Sequence, residues 1–307
     1  MNNSEGLKGV FAASLTPLKS DFSVDKDRLI SHNNWLLKNG CDGLAVLGTT
    51  GEANSFSVAE RIDILETLND GGIGGSKLMP GTGCCSTSDT VELTRRAVEL
   101  GAGGVLMLPP FYYKAVSDDG LFAAYSEVIE QVGDSRLKVY LYHFPQMSAV
   151  PLSYDLIERL LKRYPETIAG MKDSSGVFDN MAGAAEKFPG FGVFSGGDDF
   201  LYPLLQRGGV GCITACCNIS CHFSAKIYQA WLDGDRSAEE MQKQLIKIRI
   251  AAQTYPYSAG LKTAMAHFSG DDSWRTVRPP LMTLDDKQSK DLINLLEAAG
   301  HTPPPMS

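Results

Sequence analysis

Apolar residues occur along the first two thirds of the chain in eight short continuous runs, rather than in strict alternation with polar residues. Continuous runs of this length are typical of parallel strands whose outer faces are covered by helices. The pattern therefore predicts eight parallel strands, at residues 10–17, 43–48, 77–83, 103–110, 138–145, 167–174, 191–198 and 209–217.

Between these runs lie stretches in which apolar residues recur at helical spacing. The clearest predicted helices are 25–40, 57–70, 88–102 and 153–165. Ser57 and Glu60 form a capping-box pair at the start of the second, and Pro165 stops the fourth. Strands that alternate with helices in this way predict an α/β protein with a (β/α)8 TIM barrel. A doubly wound sheet is the alternative, but no G-x-G-x-x-G motif follows the first strand.

The strand pattern stops after residue 222. Further helices are predicted at 225–235, 237–256, 260–270 and 284–300. We therefore predict a barrel catalytic domain of residues 1–224 and a C-terminal helical extension of residues 225–307. The end of the chain, HTPPPMS, is expected to form a loose tail.

Length and charge narrow the class of protein. The chain has 307 residues, of which 43% are hydrophobic, and this is enough for a large buried core. Its formal net charge of −8 argues against a nucleic-acid-binding protein, which needs a basic face for the phosphates. The sequence shows no secretory signal, and no apolar run approaches the ~18 residues of a membrane span. We expect a cytoplasmic protein without nucleic-acid or membrane partners.

The seven cysteines do not resemble a disulfide framework, because their number is odd and the chain is long. Four of them form the pattern C-x3-C-C-x3-C within residues 212–221, which lacks the usual zinc spacing. Buried cysteine commonly acts as a small hydrophobic residue. We expect neither a metal ion nor an organic cofactor.

Lys172 stands at the end of an apolar predicted strand, in the stretch GMKDSSG. Its ammonium either pairs with a neighbour such as Asp173, or its amine is kept neutral for chemistry. Apolar surroundings disfavour the charged form of an amine, and a neutral amine can attack a 2-oxo acid to form a Schiff base. The protonated imine withdraws electrons from C3, which permits cleavage of the C3–C4 bond or loss of a C3 proton.

Polar segments follow five of the predicted strands, where a (β/α)8 barrel carries its chemistry. They are Gly48–Glu52, Pro109–Lys114, Tyr142–Pro145, Lys172–Ser174 and Ser195–Asp199. The first offers hydroxyls and backbone N–H groups for a carboxylate, and the Tyr142 phenol can move a proton. These residues also have structural interpretations. The G-T-T-G stretch can be a tight turn, and Tyr112 and Tyr113 can be ordinary aromatic packing. His143 can be a hydrogen-bonded wall residue, and Asp198 and Asp199 can be helix N-caps.

These residues also carry a resemblance that covers nearly the whole chain. The motifs are G-T-T-G-E (48–52), P-G-T-G (80–83), the Tyr-Tyr pair before S-D-D-G-L (112–121), Tyr-x-x-Pro (142–145), G-M-K-D (170–173), S-G-G-D-D (195–199) and G-G-V-G-x-I (208–213). With them the chain resembles the dihydrodipicolinate synthase and N-acetylneuraminate lyase family of class I aldolases. The resemblance implies a barrel with a helical C-terminal part, a homotetramer, and a small 2-oxo acid as substrate.

The resemblance also implies roles for individual residues. Lys172 would be the Schiff-base lysine and Tyr142 the proton shuttle. Thr49 would join the relay to a tyrosine of a neighbouring subunit. That tyrosine is Tyr113 if the motif aligns without a gap, and Tyr112 otherwise.

Substrate binding is implied for a second group of positions. Thr50 would bind the carboxylate together with Thr49. The other substrate-binding positions implied are Gly51, Ser174, Gly196, Asp198 and Ile213.

Departures from the family pattern bear on the substrate. Dihydrodipicolinate synthases usually carry an arginine where this chain has Met147, and methionine cannot make its charge-assisted pair. Ser174 keeps a hydroxyl where sialic acid lyases have threonine. Asp198 and Asp199 stand where sugar-acid lyases bind a polyhydroxy chain, but synthases have acidic residues there too, so this pair does not distinguish the two. We therefore predict a Schiff-base lyase that cleaves or dehydrates a 2-keto-3-deoxy sugar acid. Dihydrodipicolinate synthase, N-acetylneuraminate lyase and a non-catalytic sensor of small acids are the alternatives.

Overall fold

Parallel strands form one curled sheet in the computed structural model, which describes residues 6–306. The named strands are β1 (Gly9–Ala12), β2 (Gly43–Leu44), β3 (Val105–Met107), β4 (Val139–His143), β5 (Ile168–Asp173), β6 (Gly192–Ser195) and β7 (Gly211–Thr214). Their order is β2-β1-β7-β6-β5-β4-β3, so β2 and β3 lie at the two edges.

Residues 77–83 close the sheet between these two edges. The Met79 N–H donates to a β2 carbonyl at 2.9 Å, and the Thr82 N–H donates to a β3 carbonyl at 3.0 Å. Isolated parallel bridges join the segment to both strands. Because Pro80 has no N–H to donate, the segment forms bridges rather than a continuous ladder. The eighth predicted strand is present in this reduced form, and the predicted (β/α)8 TIM barrel is confirmed.

Helices surround the sheet and continue beyond it. They are α1 (Lys26–Lys38), α2 (Val58–Asp70), α3 (Thr87–Glu99), α4 (Asp118–Val132), α5 (Pro145–Ser148), α6 (Tyr154–Arg163), α7 (Phe178–Lys187), α8 (Leu201–Gln206), α9 (Cys217–Leu232), α10 (Ser237–Ala252), α11 (Tyr257–Ser269) and α12 (Asp286–Ala298). The four helices predicted most clearly are present as α1, α2, α3 and α6. The capping box of α2 is confirmed, since Glu60 N–H donates to Ser57 Oγ at 3.3 Å and Ser57 N–H to Glu60 Oε2 at 2.8 Å.

Side chains alternate between the two faces of each strand. Outward-facing residues pack on the helices in the largest core cluster. Inward-facing positions fill the barrel with a second cluster made of Phe11, Ala13, Ala45, Met79, Leu106, Tyr140, Tyr142, Phe194 and Ile213.

Glycines on the inner face leave room for the aromatic rings. A Cβ atom at Gly104 would lie 2.7 Å from the Tyr140 ring, and one at Gly170 would lie 2.9 Å from it. The Phe194 ring meets Tyr140 edge to face, with the centroids 5.8 Å apart. Aromatic packing therefore fills the interior below the C-terminal strand ends, where the candidate site lies.

The C-terminal helices share a further core cluster with Leu15 at the end of β1. The predicted domain boundary after residue 224 falls inside α9, so the division into two domains stays a prediction. Residues 301–306, expected as a loose tail, instead pack on the helices. His301 is buried with its ring centroid 5.1 Å from that of Phe268 in α11, and the Nε1–H of Trp35 in α1 donates to the Pro305 carbonyl at 2.9 Å. None of the helices in residues 6–306 has the length and apolar character needed to cross a membrane.

Candidate active site

A cavity of about 660 Å³ opens at the C-terminal ends of the strands, beneath α10 and α11. Cavities of this size hold small organic ligands. Six of the predicted site residues line it, namely Thr49, Thr50, Tyr142, Lys172, Ser174 and Gly196. They lie at or just beyond the C-terminal ends of β2, β4, β5 and β6, so closure of the barrel brings them together.

Lys172 lies on β5, directly opposite Tyr142 of β4 in the parallel register. Its side chain is buried, and its Nζ lies 4.5 Å from the centroid of the Tyr142 ring. The face of an aromatic ring attracts an ammonium group, and it is an apolar neighbour for a neutral amine. The arrangement aims a buried amine at the cavity.

Asp173 does not pair with this lysine, because strand alternation turns its side chain to the opposite face of β5. One Asp173 oxygen accepts the Ser175 N–H at 2.7 Å, and the other accepts from the Asn180 amide at 2.6 Å. The ion pairs found among residues 6–306 do not include Lys172. The salt-bridge interpretation of Lys172 therefore has no support here.

Tyr142 is held by aromatic packing. Its ring stacks on Phe144 with a centroid separation of 5.8 Å. Tyr142 and Thr49 also both line a small crevice beside the main cavity. Both residues line the same cavity as Lys172.

Glu52 joins the 48–52 loop to α11. This residue has a left-handed backbone, with φ 57°, and its carboxylate forms an ion pair with Lys262 of α11 at 2.5 Å. Both side chains are fully buried. Burial lowers the pKa of Lys262, although the Glu52 charge opposes this shift. The Ser258 hydroxyl donates to the Thr50 carbonyl at 3.3 Å, so α11 supports the loop at two points.

Three predicted binding residues lie outside the cavity wall. The Gly51 carbonyl accepts from the Thr16 hydroxyl at 2.9 Å inside the fold. Ile213 is fully buried in the barrel interior. Asp198 is also fully buried, and there it accepts from the Thr214 hydroxyl at 2.6 Å and binds Arg249 at 3.2 Å. Burial raises the pKa of the Asp198 carboxyl to about 6.

Tyr113 is 71% exposed and Tyr112 is 73% exposed, and their rings meet edge to face at 5.4 Å. Neither lines the cavity of the single chain. An exposed tyrosine pair is free to reach another subunit, so the predicted relay tyrosine stays a prediction.

His143 faces away from the cavity. Its Nδ1 accepts the Leu152 N–H at 3.1 Å. Burial lowers the pKa of this imidazole, although the Asp173 carboxylate opposes the shift. The structural interpretation of His143 therefore holds: it is a hydrogen-bonded residue of the outer face.

Much of the cavity wall comes from residues that the sequence did not single out. They are Phe144, Ala215, Arg249, Pro256, Tyr257, Ser258, Ala259, Pro280, Leu281 and Met282. Arg249 is the cation among them, and its guanidinium binds Asp199 at 3.1 Å as well as Asp198. Apart from Phe144, which lies within the Tyr-x-x-Pro motif, no local motif marks these positions. Most of them reach the cavity because C-terminal segments pack on the barrel.

Among residues 6–306, no group of three or more His, Cys, Asp or Glu side chains is arranged to hold a metal ion. All seven cysteines are free thiols.

The chain matches the dihydrodipicolinate synthetase family across residues 6–299. It belongs to this family. A relative from Chloroflexus aurantiacus, described as an uncharacterised DapA-like lyase, is 32% identical over 300 residues that cover 96% of this chain and 99% of the relative. A 4-hydroxy-tetrahydrodipicolinate synthase from Listeria monocytogenes is 32% identical over 291 residues, covering 94% and 97% of the two chains.

Solved structures of the family superpose closely on this one. Dihydrodipicolinate synthase from Agrobacterium tumefaciens has a TM-score of 0.87 and 30% identity, with 95% of this chain and 99% of that chain covered. A prophage protein of the family from E. coli K12, in complex with pyruvate, has a TM-score of 0.90 and 28% identity, with 96% and 99% covered. Family membership makes this chain an aldolase-type lyase.

Proposed function

We propose that this lyase forms a Schiff base between Lys172 and a 2-oxo acid, and that it cleaves or dehydrates a 4-hydroxy-2-oxo acid through the imine. The observation that supports this most directly is the buried Lys172 amine, which faces the cavity with no ion pair among the described residues. The E. coli family member was solved with pyruvate, the product that such a cleavage releases.

The first step joins substrate and enzyme. The Lys172 amine attacks the C2 carbonyl, the carbonyl oxygen leaves as water, and a protonated imine remains. The substrate carboxylate binds at Thr49 and Thr50, which both line the cavity. The imine is the electron sink, so the lysine takes the place of an organic cofactor.

Cleavage then needs a base. The Tyr142 oxygen takes the proton of the C4 hydroxyl, the C3–C4 bond breaks, and its electron pair moves to the imine. An aldehyde leaves and an enamine of pyruvate stays on the lysine. A proton returned to C3, followed by hydrolysis of the imine, releases pyruvate and the free amine. In dehydration the same imine assists loss of a C3 proton and of a hydroxyl.

The proton relay extends beyond one chain in this proposal. Thr49 passes the proton from Tyr142 to Tyr113, or to Tyr112, of a neighbouring subunit in a homotetramer. Exposure of both tyrosines is compatible with such a contact. A cytoplasmic location stays a prediction.

The substrate class predicted from the sequence is a 2-keto-3-deoxy sugar acid. Dihydrodipicolinate synthase activity is less well supported, because the Met147 side chain stands at the cavity and Arg249 is already neutralised by two carboxylates. N-acetylneuraminate lyase is the other enzyme alternative, and a sensor that only binds a small acid is the non-enzyme one.

Borohydride reduction in the presence of pyruvate tests the central step. We expect a reduced pyruvyl adduct by intact mass, located on Lys172 by peptide mapping. Lys172→Arg should form no adduct, whereas the matched exposed variant Lys26→Arg should form it as the parent does. A folded parent protein that binds pyruvate but gives no adduct would instead support the sensor.

A further inference from the structure

The two ends of the active-site cavity differ in chemistry. The deep end carries the buried residues Lys172, Tyr142 and Thr50. The outer wall is largely apolar, and is made of Phe144, Met147, Pro256, Pro280, Leu281 and Met282. With the carboxylate and C2 of a 2-oxo acid at the deep end, the group attached to C4 meets the outer wall.

Few of the described side chains of the cavity wall outside the deep end are available to bind sugar hydroxyls. Besides Thr49, the polar ones are Ser174, Arg249, Tyr257 and Ser258, of which the Ser258 hydroxyl donates to the Thr50 carbonyl and the Tyr257 hydroxyl to Gln253. Among the described residues that line the cavity, none is Asp, Glu, Asn or Gln. Asp198, at the position expected to bind a polyhydroxy chain, is fully buried and occupied by Thr214 and Arg249. The Arg249 guanidinium in turn is held by Asp198 and Asp199. A polyhydroxy chain would leave several of its hydroxyls without partners here, which is costly.

The mouth of the cavity instead exposes large apolar side chains. Met147 is 60% exposed and Met282 is 75% exposed. Both line the cavity, together with the partly buried ring of Phe144. Exposed apolar groups that cluster at a cavity mark a binding surface, and flexible methionine side chains adapt to aromatic partners.

We infer that the aldehyde half of the substrate is apolar, with an aryl group or a branched alkyl group on C4. This inference rests on the proposed Schiff-base lyase activity and specifies its substrate class. In place of a sugar chain, the substrate then carries on C4 an apolar group that packs against Met147, Met282 and Phe144.

The test compares the release of pyruvate from 4-hydroxy-2-oxo-4-phenylbutanoate and from 2-keto-3-deoxygluconate, by a lactate dehydrogenase coupled assay. We expect kcat/KM to be higher for the phenyl compound by about a hundredfold, the discrimination that an apolar pocket achieves against added hydroxyls. A ratio of one or below, from protein that forms the pyruvate adduct on Lys172, overturns the inference and leaves the proposed function intact. Loss of both the adduct and all cleavage overturns the two together.

Variants locate the apolar site. Met147→Gln combined with Met282→Gln should lower the kcat/KM ratio of the phenyl compound over its methyl analogue, 4-hydroxy-2-oxopentanoate, by about tenfold. The control Leu232→Gln changes a residue that is 55% exposed outside the cavity, and should keep the parent ratio. An unchanged ratio in the double variant, with a smaller oligomer by light scattering, would assign the methionines to a subunit contact and contradict the inference.

Discussion

The ion pair beneath the 48–52 loop gives a quantitative test of how the C-terminal helices support the site. Replacing Lys262 by methionine keeps the length of the side chain but removes its charge. Glu52 then loses its 2.5 Å partner, while its second oxygen still accepts the Arg278 N–H at 2.9 Å. A fully buried carboxylate would be left without a counter-charge.

The expected loss of unfolding free energy follows from the burial of the ion pair. Removing one partner of a buried ion pair costs about 3–5 kcal/mol of unfolding free energy, because the remaining charge is desolvated and unpaired. The exposed pair between Lys26 and Asp63 offers the matched control: its N–O distance is 2.6 Å, but the two side chains are 50% and 51% exposed. Lys26→Met should cost about 0–1 kcal/mol, since water screens that pair.

Urea unfolding followed by circular dichroism, at one protein concentration, measures both variants. Lys262→Met should also lower kcat/KM, because the loop that carries Thr49 and Thr50 loses its anchor. Adding Glu52→Gln to Lys262→Met should recover a large part of the lost stability, since no buried charge then remains. A loss of about 1 kcal/mol or less for Lys262→Met, equal to the surface control, would refute the reasoning.

Three further outcomes are expected. Tyr142→Phe should lower kcat by about 100- to 10,000-fold, the range of a lost acid–base group, while borohydride still traps pyruvate; an unchanged kcat excludes Tyr142 as the shuttle. Burial raises the pKa of Asp198 from 3.8 to about 6, so its stabilising contribution is complete below pH 3.8 and is lost as the pH rises through about 6. Asp198→Asn should therefore flatten the fall in unfolding free energy across this window, and a parent-like slope in a urea series would contradict that assignment. Gly170→Ala should cost about 1–3 kcal/mol or more by overpacking, because the new Cβ would lie 2.1 Å from the Gly192 carbonyl oxygen and 2.9 Å from the Tyr140 ring. Gly74→Ala, where nothing lies within 4 Å of the added Cβ, should stay within about 0.5 kcal/mol of the parent in the same unfolding experiment.

The barrel could be predicted because its signals are local. Continuous apolar runs and helical spacing come directly from the residues, and the Ser57–Glu60 capping box forms as expected. The third predicted strand was the weakest, since Pro80 limits it to isolated bridges. The tail was mispredicted, because a short proline-rich segment gives no local sign that Trp35 will bind its Pro305 carbonyl.

The predicted residues lie together at the cavity where strand alternation decides the direction of a side chain. Lys172 and Tyr142 lie in register on neighbouring strands and face inward, at the cavity. Asp198 was expected at the cavity, but its carboxylate binds Thr214 and Arg249 instead. That direction depends on α10, which is distant in sequence.

The sequence by itself determined the class of fold, the family, and the strand ends that carry Lys172 and Tyr142, because each depends on periodicity or on a short motif. Only the tertiary structure decided what surrounds them. The Glu52–Lys262 pair joins residues 210 positions apart, and the apolar mouth combines the β4 loop with residues 280–282. Contacts of this kind arise when distant segments bury their surfaces together, and no local pattern records them.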